Sequence, residues 1–443
     1  MKKKLSFHES ISIVSMLFGM FFGAGNLIFP VHLGQIAGRN LWPAFFGFVI
    51  TGVGLPMLGV ASFGITGSNG LHELAGKIGK KYAVFFTVLL YLTIGPFFAI
   101  PRCATTSFTV GLEPIFGSNK IALLLFSLLF FAVVMFFSLK PKGIMTWIGR
   151  LINPVFLIFY FVLIIAALLD PSATVASVQP DASYETGAFA NGFLEGYNTM
   201  DAIASLAFGI VVVNVIRGLG VTESKDITKN TIFTGIFACL AMGFIYLATC
   251  VMGAQSRGLF ETSANGGIAL AQLSGHYLGA FGEAFLAILV TLACLKTAIG
   301  LVTSLCEAFD GMFTKGEHYK AWAIGFCVFS FGVANFGLNT IITYAIPVLM
   351  FIYPLVITLI LLSIFGGAFD HDPIVYRCVT VFTLIAAVFD FFNSLGVTAI
   401  ANVGKAILPF FSLGFGWLVP ALIGLVLGLI LRGVNKNKAA AAA

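Results

Sequence analysis

Along the chain, long apolar runs alternate with short polar stretches that hold most of the charge. Twelve runs are long enough to cross roughly 30 Å of hydrocarbon as helices. They lie at about 9–37, 41–65, 82–110, 120–138, 148–169, 188–217, 227–252, 276–309, 320–338, 340–365, 374–393 and 409–432. None shows the apolar–polar alternation of a lipid-facing barrel strand. The pattern therefore predicts an all-α integral membrane protein with twelve transmembrane helices. Met1-Lys2-Lys3-Lys4 could open a signal peptide, but the run after it is too long and lacks a clear small-residue cleavage site, so it counts as a span. The longest connections expected outside, about 170–187 and 253–275, cannot bury a core of their own. One transmembrane domain over 1–438 is expected, with the 439–443 alanine run set aside as an appended tail.

Composition narrows the class. Of 443 residues, 59% are hydrophobic and 9% charged, against about 25% charged in soluble domains. That excludes a cytosolic enzyme, a nucleic-acid-binding domain, a disordered chain and a disulfide-stapled secreted domain. The net charge of +6 is unevenly placed. With both termini on one side, 18 of the 24 basic residues share it, including Lys2, Lys3, Lys4, Lys140, Lys142, Arg150, Lys315, Lys436 and Lys438. Arg39, Lys120, Arg257 and Lys405 fall opposite. This asymmetry predicts cytoplasmic termini. The seven cysteines lie in or beside apolar runs and form no Cys-x-x-Cys, so neither a disulfide framework nor a zinc site is indicated. The six histidines lie at segment ends or in loops, and no His-Glu-x-x-His or intramembrane aspartate pair occurs, which speaks against an enzyme.

Two spans carry interruptions. The first contains Gly23-Ala24-Gly25-Asn26, then Pro30. Each glycine weakens a helix by about 1 kcal/mol, and a polar Asn at mid-membrane depth points to an unwound turn lining a cavity. The competing account is a close helix contact through small residues. A break would offer carbonyls to a cation at one end and amides to an anion at the other, which suits an amino-acid zwitterion with a metal cation. Pro30 fits the first turn of the second half-helix. The sixth span contains Gly196-Tyr197-Asn198-Thr199-Met200-Asp201. An intramembrane carboxylate costs about 2.5–3.5 kcal/mol, so Asp201 either binds something or closes a structural hydrogen bond. Glu195, nearer the outer surface, is expected to be solvated.

Spans 1–5 (about 9–169) and 6–10 (about 188–365) would form two five-helix repeats, with spans 11 and 12 (about 374–432) following. An odd-numbered repeat inserts in opposite orientations, giving an inverted pair. Each repeat carries a cation in its third span, Arg102 and Lys296. Arg102 is expected in the outer half, as a gate ion pair or as a snorkelling or structural arginine. Phe97 and Phe98 are candidates for an apolar pocket wall.

Four blocks carry a resemblance. Gly23-Ala24-Gly25-Asn26-Leu27-Ile28-Phe29-Pro30 resembles the signature of the bacterial branched-chain amino acid:cation symporter family. So do Gly95-Pro96-Phe97-Phe98-Ala99-Ile100-Pro101-Arg102 with Ala104-Thr105-Thr106-Ser107-Phe108, Gly196–Asp201, and Ala293-Cys294-Leu295-Lys296-Thr297-Ala298. The likeness runs nearly end to end. It implies the amino acid–polyamine–organocation superfamily and its leucine-transporter-like fold, an inverted five-helix repeat with discontinuous helices 1 and 6. It also implies uptake of leucine, isoleucine and valine, usually with co-transported sodium and no organic cofactor, across a bacterial plasma membrane.

By the same resemblance, the substrate carboxylate would meet Ala24 and Gly25 amides beside Asn26. Its ammonium would meet carbonyls near Phe21 and Tyr197 or Asn198. Sodium would lie among Gly19, Phe22, Ala293, Lys296 and Thr297. Thr297 suits a hard cation, but Lys296 departs from the pattern. Either Lys296 turns away to pair with a carboxylate such as Asp201, the preferred reading, or its ammonium stands in for the cation, which would weaken sodium coupling and favour protons. A relative carrying another small neutral amino acid is the nearest alternative; a channel or a sensor on the same fold is another. The expected partners are the amino acid and the bilayer, not nucleic acid, and the oligomeric state is left open.

Overall fold

The computed structural model describes residues 4–139, 144–314 and 316–442, with the side chains of 144–154 and 436–442 left aside. Of the basic residues used for orientation, Lys2, Lys3, Lys140, Lys142 and Lys315 lie outside the described residues, as do the side chains of Arg150, Lys436 and Lys438. The described residues form helices and turns, with no strand among them. Nine of the described helices are long and apolar enough to cross a membrane, and three shorter apolar helices, Phe7–Phe21, Val155–Leu169 and Tyr319–Ala334, add to them.

Span 1 is two helices, Phe7–Phe21 and Ala24–Ala37. Ser6 and Glu9 cap the first reciprocally, which fixes where it begins. Phe22 is extended and Gly23 opens the second half. Pro30 does not sit in the first turn, as its spacing had implied. It is the seventh residue of the second half, so its missing N–H leaves the Asn26 carbonyl without an intrahelical donor. At Gly38, φ of 48° turns the chain into span 2, Leu41–Thr66, through a wider π turn at Ile50–Gly54.

Span 6 is broken as well. Its first half is Ala188–Glu195, a tight turn covers Gly196–Thr199, and Met200 takes φ of 62° before Asp201–Gly218. Span 3 holds a third interruption, which the pattern did not predict. Lys80–Leu92 passes through Thr93–Phe97, where Gly95 leaves helical space (φ −94°, ψ −124°), and resumes at Ala99–Gly111. Pro96 cannot donate to the preceding turn, which is the physical cause. Span 8 lies within Gly266–Phe309, and Gly279, with φ of 65°, separates a short helix from the span proper. Span 12 starts at Leu418 rather than near 409. Residues 408–417 form an irregular turn with Phe410 and Gly414 in the left-handed region.

Close helix contacts hold the second half of each broken span. The second half of span 1 presses on span 7 (Ser224–Gln255): a Cβ on Gly34 would stand 2.0 Å from the Cys250 carbonyl oxygen, and one on Gly253 would stand 2.1 Å from that of Val31. The second half of span 6 presses on span 2 in the corresponding way, with Gly59 against Ser205 Oγ at 1.9 Å and Gly209 against Val60 Cα at 3.2 Å. Small residues let the helix backbones approach this closely. Spans 3 and 8 pack side by side across the middle. Both broken spans are thereby held face to face against spans 2, 3, 7 and 8.

Candidate functional site

The two breaks meet at one place. Asn26, in the first turn of the second half of span 1, accepts from the Gly23 N–H through Oδ1 at 2.9 Å. Its Nδ2 donates to Asp201 Oδ2 across the break of span 6 and to the Tyr246 hydroxyl of span 7. The Asp201 N–H donates to Thr199 Oγ1 at 3.3 Å. Asn26 and Asp201 are 2% and 4% exposed. Asp201 therefore closes a structural hydrogen bond between the broken spans and also lines the cavity described below. Tyr246 was not singled out from sequence. It is one tyrosine in a long apolar helix with no local signal.

Arg102 lies level with this network. It is 5% exposed, so it reaches neither aqueous surface. Nη1 donates to the Asn198 carbonyl at 2.6 Å and Nη2 to that of Thr199 at 3.4 Å. The guanidinium also lies over the Phe29 ring, 5.2 Å from its centre. Burial excludes snorkelling, and the side chain is a structural clamp that satisfies carbonyls freed by the turn in span 6, one of the roles expected for it. One consequence touches the resemblance: the Asn198 carbonyl, a position implied for the substrate ammonium, is bonded to Arg102.

A cavity of about 50 Å³ lies against the breaks, lined by residues that include Phe21, Gly23, Ala24, Gly25, Asn26, Arg102, Asp201, Phe208 and Thr297. It is smaller than the roughly 300–1,000 Å³ of typical ligand clefts. Phe21 and Phe208 face each other across span 1 and span 6, ring centres 5.9 Å apart. Phe97 and Phe98 do not line it, because the interruption in span 3 turns Phe97 outward against Phe329; Ile94 and Ala99 take that wall. Tyr197 is also absent from the lining. Its ring is stacked on Tyr353 of span 10 (Leu338–Phe365), centres 3.9 Å apart and nearly parallel. Asn198 turns its side chain to Glu195 Oε2 at 3.2 Å, and Glu195 is half-buried rather than fully solvated.

The residues implied for sodium gather at the other end of the break. Thr297 Oγ1 donates to the Ala293 carbonyl at 3.0 Å and lies 3.5 Å from where a Cβ on Gly23 would sit. Lys296 Nζ donates to the Gly19 carbonyl at 3.2 Å. The preferred pairing of Lys296 with Asp201 is thus corrected. The Asp201 carboxylate serves Asn26 and lies 3.5 Å from the Tyr246 hydroxyl, whereas Lys296 reaches the end of the first half of span 1. The Phe22 side chain stacks on Phe18 and neighbours Phe156 and Tyr160.

A helical bundle whose paired broken spans enclose a cavity lined by both polar and apolar side chains has the arrangement of a leucine-transporter-like fold. The fold of Mhp1 agrees. The closed conformation of this nucleobase-cation-symport-1 family transporter, with bromovinylhydantoin bound, aligns with a TM-score of 0.62 at 14% identity, covering 97% of this chain and 93% of that one. Its inward-facing conformation gives 0.59 at 13% identity, covering 97% and 91%. The chain belongs to the branched-chain amino acid transport protein family, whose pattern matches residues 6–435. The branched-chain amino acid permease BrnQ of Lactobacillus delbrueckii subsp. lactis is 47% identical over 99% of this chain and 100% of its own. BrnQ and BraB of Bacillus subtilis, named as permeases of the same kind, are each 38% identical over 97% of this chain, and over 98% and 97% of their own. These relatives are named permeases, which sets the chain among transporters and not enzymes.

Proposed function

We propose that the protein is a secondary active symporter that imports leucine, isoleucine and valine with sodium by alternating access across a bacterial plasma membrane, its termini cytoplasmic. The observation that carries this reading is the cavity between the two breaks, bordered by the first-turn amides of Ala24 and Gly25, by Asn26 and Asp201, and by the apolar faces of Phe21 and Phe208. Amides without intrahelical partners suit a carboxylate, Asp201 suits an ammonium, and the phenylalanines suit a branched apolar side chain. Widening of this cavity accompanies substrate entry. Thr297 and the carbonyls of Gly19, Phe22 and Ala293 are the oxygens offered to sodium.

The energetics suffice. One charge crossing 100 mV yields about 2.3 kcal/mol, and a tenfold sodium gradient adds about 1.4 kcal/mol. A one-to-one symporter could then concentrate substrate roughly 500-fold. A methylene is worth about 1–3 kcal/mol in an apolar pocket, so discrimination among the three substrates is modest.

Lys296 favours a second reading. Its ammonium occupies a carbonyl counted among the sodium ligands, so a resident cation could replace sodium and make uptake sodium-independent or proton-coupled. Uptake of labelled leucine into proteoliposomes, with choline replacing sodium at fixed pH, separates the two. Loss of uptake supports sodium coupling; full uptake sinks it. Competition by isoleucine and valine, but not alanine or threonine, is expected in the same assay.

A further inference from the structure

A buried carboxylate stands apart from the central cavity. Asp390 lies near the end of span 11 (Pro373–Ser394), is 1% exposed, and has no hydrogen-bond partner on either oxygen among the described residues. Trp417, at the entry to span 12, is also buried, and its indole Nε1 has no acceptor among them. The Tyr197 hydroxyl, in the break of span 6, is buried and without a partner in the same way. These groups are neighbours. Phe415, two residues before Trp417, packs on Phe193, and Phe193 packs on Tyr197, with ring centres 5.0 and 5.7 Å apart; a Cβ on Gly416 would stand 3.5 Å from Asp390 Oδ1.

An ionised carboxylate isolated from water is neutralised by a partner or by a proton. A metal cation does not fit here. Hard cations collect six or more oxygens, whereas Trp417 presents an N–H that can only donate. A proton needs no coordination shell. A protonated Asp390 keeps acceptor capacity for the neighbouring donors and gains an O–H of its own.

We propose that Asp390, with Tyr197 and Trp417 beside it, is a proton-binding site separate from the substrate cavity, through which the outer proton concentration acts on the break of span 6. The inference rests on the transport reading above for its effect, but not for the site. With the proton bound, the ends of spans 11 and 12 pack against the Tyr197–Tyr353 stack. When the proton leaves to the outer water, the bare carboxylate draws the Trp417 and Tyr197 donors toward itself and loosens Tyr197 from Tyr353. Span 6 contributes Glu195, half-buried and accepting from the Asn198 side chain. Span 10 contributes Tyr353 through that stack. Helix Thr398–Ile407, packed on span 11, carries Lys405, which is exposed. Arg432 of span 12 pairs with Asp370 and Asp372 at the opposite end of span 11, and Arg377 donates there to the Ile78 carbonyl.

The test uses the full chain in lipid vesicles. Infrared spectra at neutral pH are expected to show a protonated-carboxyl C=O stretch that disappears in Asp390→Asn. Leucine uptake is expected to show a KM that varies several-fold between about pH 6 and pH 8.5 in the native protein and stays flat in the variant. Superimposable spectra, or a pH profile unchanged by the substitution, overturn the proposal. A spectral difference in vesicles that take up no leucine overturns the transport reading and leaves the site standing. If Asp390→Asn does not fold, Asp390→Glu serves instead: a shifted band supports the site, and an unmoved band overturns it.

Discussion

Polar side chains in this bundle are few, and the ones at the breaks serve each other. Asn26 is the hub, because its amide is both donor and acceptor. Replacing it with Ala strands the Gly23 amide and leaves the Asp201 carboxylate and the Tyr246 hydroxyl only their 3.5 Å contact with each other. An unsatisfied buried group costs about 1–3 kcal/mol, so Asn26→Ala is expected to lower the melting temperature in detergent and to abolish leucine uptake. Gly25 makes a sharper test, since a Cβ there would stand 2.9 Å from Arg102 Nη2 and 3.4 Å from the Thr199 carbonyl oxygen. The guanidinium can swing, but only by releasing the carbonyls of span 6. Gly25→Ala is expected to leave the protein folded, by size-exclusion profile, while leucine uptake falls at least tenfold, about 1.4 kcal/mol. Wild-type uptake in either variant would remove that residue from the site. Asn26, Asp201 and Arg102 were legible in the sequence because polar residues at membrane depth are rare. What each bonds to was not, since a Tyr246 hydroxyl inside an apolar helix leaves no trace in the pattern.

Among the elements, the breaks of spans 1 and 6 were readable from glycines beside Asn and Asp. The third break had its signal too, Gly95 before Pro96, yet a proline in an apolar run also reads as an ordinary kink, and no polar residue marks the turn. The short helix before Gly279 fell largely in the connection expected at 253–275, because Gly266, Gly267, Gln272, Ser274 and Gly275 interrupt its apolar run. Crossings between spans depend on contacts that no local pattern encodes. Gly34 and Gly253 illustrate this: each would drive a Cβ into the facing backbone at about 2 Å. Overpacking a tight core costs about 1–3 kcal/mol or more, and backbone cannot move aside as a side chain can. Gly34→Ala is expected to depress thermal stability strongly or prevent folding. Gly325→Ala, on span 9 with nothing within 4 Å of the added carbon, is expected to be neutral or slightly stabilising, because alanine favours helix by about 1 kcal/mol. Equal melting temperatures for the two variants would refute the close crossing.

For the molecule as a whole, the segments after spans 2 and 10 are joined at one end of the bundle. Lys77 Nζ lies 3.4 Å from His371 Nδ1, which lies 3.0 Å from the Tyr376 hydroxyl, itself a donor to the Leu362 carbonyl. Partial burial, and then the nearby Lys77 ammonium, hold the His371 imidazole below its ordinary 6.5. The folded protein therefore binds fewer protons there than the unfolded chain, so the stability it contributes is full above that value and is lost as pH falls below it. Thermal unfolding is expected at a lower temperature at about pH 5.5 than at pH 7.5, with a smaller difference in His371→Gln. An identical difference in the variant would assign the effect elsewhere.

The Arg102 clamp bears on how fast such a carrier can cycle. A helix left open only by its cargo would have to close and reopen at every turnover, and each substrate molecule would bear that ordering cost. Here the protein's own guanidinium occupies the freed carbonyls of span 6, so the gap persists when the cavity empties. On the transport reading proposed above, emptying the cavity then does not require the helix of span 6 to be remade.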